Sequence, residues 1–221
     1  MGKEVDLLRY YPRGGAGRGE RAPVSDADRR LAKEFGFDYF DGSRQHGYGG
    51  YRYQPHYWQR TVELLIEYYG LTEGAKILDI GCAKGFTIHD LALSLPGVCC
   101  VGLDISTYAL DHRKVEANLS YVQGDACSLP FRDSTFDFVL SINTLHNLPL
   151  DLCVKGLNEI ERVGRGASYI VVDGWRTPEE EVDLRAWVLT AETMMSVTEW
   201  EMVFRDSGYS GDYSFWSLPS K

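Results

Sequence analysis

From Lys76 onward, short continuously apolar runs alternate with stretches of helical periodicity, and this alternation constrains the fold more than any other feature of the chain. The runs are KILDI (76–80), VCCVGLDI (98–105), LSYVQG (119–124), FDFVLSI (136–142) and SYIVVDG (168–174). Helical stretches follow at 84–94, 106–117 and 151–163. A strand that alternates polar and apolar residues has one wet face, whereas an uninterrupted apolar strand is covered on both. Such strands separated by helices predict a doubly wound α/β architecture with a mostly parallel sheet and ligands at the strands' carboxyl ends. After Pro178, helices are expected at 179–194 and 198–207, with one last strand inside YSGDYSFWSL.

A chain of 221 residues holds one domain and a short appendage. With 44% hydrophobic and 25% charged residues it is not disordered, collagen-like or a coiled coil. The net charge, 23 − 32 = −9, disfavours nucleic acid as a partner. No apolar run approaches the ~20 residues that span a bilayer, so no membrane partner is expected. Met1–Tyr11 lacks the apolar core of a secretory signal, and Glu4, Asp6 and Glu20 do not suit a transit peptide. Five cysteines without a CxxC pair read as reduced thiols in a cytoplasmic protein, and no cluster has metal-ligand spacing.

Residues 1–24, rich in glycine and without apolar periodicity, read as a flexible or loosely docked arm. Ser25 with Asp28 begins a helix expected to run to about Phe35 and stop at Gly36. In 37–54, glycines 42, 47, 49 and 50 argue against a helix, while Tyr48, Tyr51 and Tyr53 supply amphipathic rings for a lid. Pro55 opens a helix ending at Gly70, so 25–70 form an extension and 71–221 the main domain.

Where the first strand turns into a helix stands Asp79-Ile80-Gly81-Cys82-Ala83-Lys84-Gly85. Its glycines permit close backbone approach, and the register DxGxxxG differs from the GxGxxG of dinucleotide sites. Asp104 ends the second strand, nineteen residues past Gly85 (104 − 85), placed to accept ribose hydroxyls. Gly124-Asp125-Ala126 ends the third, offering an acceptor beside a free N–H. Together the three strand tips describe a nucleoside site.

On these motifs (LDIGCAKG, GLDIS, GDA and FDFVLSINTLHNL) residues 70–175 resemble a class I S-adenosylmethionine-dependent methyltransferase. The resemblance implies a Rossmann-like fold, S-adenosylmethionine as cofactor and S-adenosylhomocysteine as product. It assigns Asp79, Gly81, Cys82, Ala83 and Gly85 to the methionine end, Asp104 and Ile105 to the ribose side, and Asp125 and Ala126 to adenine. Ala83 stands where many members have glycine. The family usually finishes with an antiparallel strand pair, but only ten residues (209–218) remain, so one terminal strand is expected.

The fourth strand lacks the NPPY/DPPY signature of base and glutamine methylation. Asn143 and His146 should lie beside the sulfonium, with His146 the candidate general base or a residue satisfied by a backbone carbonyl. Tyr48 and Tyr51 would face the cofactor and Arg52 its carboxylate. Tyr53, Asn147, Asp173, Trp175, Arg185 and Trp187 are the candidate acceptor contacts, with a helical insertion at about 176–197. The expected activity is methyl transfer to a small-molecule oxygen, nitrogen or carbon nucleophile by a monomer or homodimer. Alternatives are an RNA or protein acceptor, cofactor cyclisation or aminocarboxypropyl transfer releasing methylthioadenosine, and a non-catalytic cofactor-binding partner subunit.

Overall fold

The computed structural model describes residues 2–12 and 22–218. Its centre is one seven-stranded sheet: β1 (Lys76–Ile80), β2 (Cys99–Asp104), β3 (Leu119–Gln123), β4 (Phe136–Ile142), β5 (Gly164–Trp175), β6 (Met195–Ser196) and β7 (Asp212–Trp216). The order is β3-β2-β1-β4-β5-β6, with β7 also on β5, and every pairing is parallel. Consecutive residues point to opposite faces, and the core divides accordingly. Ile77, Phe138, Leu140 and Val171 pack under helices α3 (Pro55–Tyr69), α4 (Phe86–Ser94) and α7 (Pro178–Trp187). Leu78, Val139, Ile170 and Val172 pack under α6 (Leu150–Val163) and α8 (Val197–Asp206).

The single terminal strand is present, and it is parallel to β5 rather than antiparallel. The reason is its connection: α8 crosses between β6 and β7, and a strand–helix–strand crossover returns the chain in its original direction.

Local signals explain the helix ends. Ser25 and Asp28 form a capping box on α1 (Asp26–Ala32), and Gly70 closes α3 in the left-handed conformation. Three expectations need correction. A one-turn helix, α2 (Phe37–Phe40), forms where glycines argued against any, because the first of them, Gly42, lies beyond its end. Helix α5 spans only Thr107–Asp111 instead of 106–117, since the Lys114 N–H is diverted to the Lys84 carbonyl. Helix α7 stops at Trp187 instead of 194; Glu192 and Thr193 donate their N–H groups to the His146 carbonyl.

The arm also divides. Residues 2–12 are docked: Glu4 bridges Tyr213, Leu7 and Leu8 are buried in the core, and the Tyr169 hydroxyl takes the Leu7 N–H and donates to the Val5 carbonyl. Residues 13–21 of that expected arm lie outside the described residues. Among the described residues no helix is long and apolar enough to cross a membrane.

Candidate functional site

Strands β1 and β4 are neighbours whose connections leave toward opposite sides, and the crevice at such a switch point is where open α/β sheets take ligands. The loop after β1 closes tightly over it. Gly81 has φ +77°, and a Cβ there would lie 2.0 Å from Thr144 Oγ1, so no side chain fits. The Gly81 and Cys82 N–H groups both donate to the Leu103 carbonyl (2.7 and 3.1 Å). Ala83 has φ +49°, a left-handed conformation that costs an L-residue about 1 kcal/mol. This is the physical reason glycine suits that position. The Ala83 N–H donates to Asp104 Oδ2 (2.7 Å), which pins the loop to β2.

A cavity opens here, lined by Asp79, Gly81, Cys82 and Ala83 from the first strand tip, Asp104 and Ile105 from the second, and Asp125 and Ala126 from the third. Asn143 and Asn147 reach it from beyond β4. Asp79 is 4% exposed, and among the described residues no donor is hydrogen-bonded to its carboxylate. Burial, and then the neighbouring charge of Asp104, push its pKa up to about 7. Burial raises the Asp104 pKa as well, against the pull of N–H groups from Ser106 and Ala83. Asn143 holds φ +53°, tolerable for asparagine, and its Oδ1 and that of Asn147 are buried without partners. Ile105 stands at the rim 58% exposed, an apolar surface open to a ligand.

Tyr39, Phe40, Tyr48 and Tyr51 complete the lining on the side of the N-terminal extension. Tyr51 stacks on Phe86 (4.9 Å), and the Tyr51 N–H donates to Asp41 Oδ1 (3.0 Å). Buried Lys84, inside the glycine loop, ties this cover down through Asp41 Oδ2 (2.5 Å) and the Tyr51 carbonyl (3.0 Å).

A second cavity adjoins the first, and Tyr11, Tyr39, Tyr48 and Asn143 line both. Its remaining lining includes His146, Asp173, Trp187, Thr190 and Trp216. His146 and Asp173 are 4% and 5% exposed. The Asp173 N–H donates to His146 Nδ1 (3.0 Å), so the neutral ring carries its proton on Nε2, 3.4 Å from the Asp173 carboxylate. Burial lowers the His146 pKa and raises that of Asp173, while each partner's charge opposes the shift.

The structure thus brings most of the sequence-predicted residues to two connected cavities, and corrects others. Tyr53 turns away and donates to Asp90, with Lys114 over its ring, because alternate residues of an extended segment face opposite ways. Arg52 lines an outer surface cavity with Gln54 and Tyr57, away from Asp79. Trp175 is buried in the core under Arg185, which is held by Glu181, and neither lines the two cavities. Asn147 belongs to the first cavity instead of the acceptor side. Gly85 serves packing: a Cβ there would strike the Tyr121 hydroxyl. Sequence reasoning missed Leu8, Tyr11, Tyr39 and Trp216. The apolar LLRYY run at 7–11 was the available signal for the first two.

The family model described as a methyltransferase domain matches residues 78–172. A fatty-acid O-methyltransferase of Mycolicibacterium smegmatis is 35% identical over 45% of this chain and 36% of its own length. A demethylmenaquinone methyltransferase of Beutenbergia cavernae is 34% identical over 55% of this chain and 48% of its own. The chain therefore spans about a third to a half of the length of these relatives. A chain from a solved complex between the Haloferax volcanii Trm112 methyltransferase activator and a methyltransferase is 26% identical and superposes with a TM-score of 0.54, covering 62% of each chain. Motif, strand order and these likenesses agree: residues 78–172 match a methyltransferase domain, and the chain is similar to the class I S-adenosylmethionine-dependent methyltransferases.

Proposed function

We propose that this chain transfers a methyl group from S-adenosylmethionine to a small-molecule acceptor. The observation that carries the reading is the pair of cavities meeting at Asn143, one with the chemistry of a nucleoside amino acid and one beside it with a buried carboxylate.

The first cavity's residues fit the cofactor. Asp79, buried and without a protein donor, suits the ammonium of its amino-acid end. The orphaned Asn147 Oδ1 accepts a further donor there. The Asp104 carboxylate takes N–H groups from Ala83, Ser106 and Ile105 and keeps lone-pair capacity for a ribose hydroxyl. Ile105 supplies a face for the adenine, and Asp125 with Ala126 its polar edge. When bound, S-adenosylmethionine supplies an electrophilic methyl group on a sulfonium. This chain's contribution is to hold both reactants, align them and exclude water under Tyr39, Tyr48 and Tyr51.

The second cavity favours an external acceptor over cyclisation, since an intramolecular reaction needs no adjoining site. It also favours a small molecule, because this cavity is walled by the extension and by residues 187–190 instead of lying on an open face. Calorimetry with S-adenosylhomocysteine tests the cofactor half. Asp104→Ala removes charge-assisted bonds worth about 1.5–3 kcal/mol each, so affinity should fall at least tenfold. Unchanged affinity in a folded variant would sink the assignment. Chromatography of the product nucleoside tests the chemistry: adenosylhomocysteine is expected, and methylthioadenosine would transfer the case to cyclisation or aminocarboxypropyl transfer.

A further inference from the structure

Within that reading, we infer that the acceptor is a neutral polyhydroxylated molecule of the sugar type and that Asp173 takes the proton of its reacting hydroxyl. The argument starts from what the second cavity leaves unsatisfied. The Asp173 carboxylate is buried, and its one ion-pair partner among the described residues is His146 Nε2 at 3.4 Å, longer than a good hydrogen bond. The Asn143 Oδ1 is buried with no partner among the described residues. A carboxylate held by one long contact and an unpartnered amide oxygen, both on residues that line this cavity, call for a ligand that brings several donors.

Charge and shape narrow the class. An apolar acceptor would leave both groups desolvated and unpaired. An anionic acceptor would meet the Asp173 carboxylate. An ammonium would suit Asp173 but would lie against the sulfonium next door and share the cavity with Arg44. A phenol brings one donor for two acceptors. A polyol brings several hydroxyls, each both donor and acceptor, which also match Thr190 and Arg44. The cavity's wall supplies the other half of such recognition: Trp187 and Trp216 stack at 4.8 Å, and Tyr39 and Tyr48 add rings on which the C–H face of a sugar ring can lie.

The base follows from hydrogen-bond direction. His146 Nδ1 already accepts the Asp173 N–H, so its lone pair is spent, and Nε2 carries a proton. Among the described residues of this cavity the carboxylate of Asp173 is the group left to take a proton, and His146 is its positioning residue. In the transfer, the hydroxyl oxygen forms the new O–C bond while its proton passes to Asp173. The methyl–sulfur bond breaks, its electron pair stays on sulfur and cancels the sulfonium charge, and Asp173 later releases the proton to solvent.

The test uses the full chain saturated with S-adenosylhomocysteine, reading tryptophan emission as methyl hexosides, neutral disaccharides, benzylamine, phenol and octanoate are titrated. Methyl hexosides or disaccharides should give a saturable change that Trp187→Ala weakens about tenfold. Asp173→Asn should keep that binding within about threefold yet lose about 100-fold or more in labelled methyl transfer to the sugar that binds best. Failure of every sugar probe to saturate the signal overturns the proposal, whichever other probe binds. An Asp173→Asn variant with unimpaired transfer overturns the base assignment. Failure of S-adenosylhomocysteine itself to bind sinks the cofactor reading instead.

Discussion

Asp79 carries a pH signature that isolates its role. Its carboxyl titrates at about 7 in the fold against the ordinary ~3.9 of an unfolded aspartate, with burial the main cause. Between those values the folded state holds a proton that the unfolded state has lost, so rising pH costs stability up to about pH 7. Asp79→Asn has no charge to bury. Relative to wild type it should gain about 3 kcal/mol between pH 5 and pH 8, two pKa units at 1.36 kcal/mol each, measured by denaturant unfolding without ligand. Parallel pH profiles would mean that Asp79 is ionised in the empty site. The acids at the strand tips were legible in sequence because each lies within a residue or two of an apolar run that fixes its position. The role of His146 was not, since it depends on which ring nitrogen meets an N–H from residue 173, 27 residues away. No local pattern encodes that.

The cover over 43–53 is an element with its own hydrogen bonds, and its attachment differs from what glycine content suggests. Tyr48, Gly50 and Tyr51 donate backbone N–H groups to Tyr39 and Phe40, so the turn folds back on α2. Its link to the main domain is Lys84 with Asp41, and Tyr108 also donates to Asp41. We expect hydrogen exchange at 48–53 to slow when S-adenosylhomocysteine is added, while 77–80 stay protected throughout. Asp41→Asn should remove part of that slowing and destabilise the chain by about 2 kcal/mol, because it strands the buried Lys84 charge beside a partly exposed partner. Equal protection with and without ligand would make the segment a fixed wall. Strands β1, β2 and β4 were read to within a residue, since two-sided burial imposes an unbroken apolar run, whereas β5 begins at Gly164, four residues before the expected 168, and the two-residue β6 was not anticipated. Helices α5 and α7 were overextended, because their last expected turns give their N–H groups to distant carbonyls of Lys84 and His146.

At the scale of the whole molecule, the docked segment 2–12 joins the sheet edge to the site. Leu7 is 2% exposed in the core, while Leu8 and Tyr11 line the cavities. Leu7→Ala should cost about 3 kcal/mol in thermal or chemical unfolding. It should also weaken S-adenosylhomocysteine binding although residue 7 touches no ligand cavity, since loosening the segment withdraws its neighbours. Intact affinity would make residues 2–12 an appendage. Fold class followed from alternation alone, but the docking of this segment did not, because its partners Tyr169 and Tyr213 lie at the other end of the sequence. That separation has a consequence during synthesis. Glu4 bridges Tyr213, 209 residues later (213 − 4), so during synthesis this segment waits for β7 before it can dock. The inner strands can pair as they appear, yet the wall shared by both cavities closes only after β7 has left the exit tunnel. A polypeptide released before β7 therefore has most of its sheet but leaves unsealed the wall that its two cavities share.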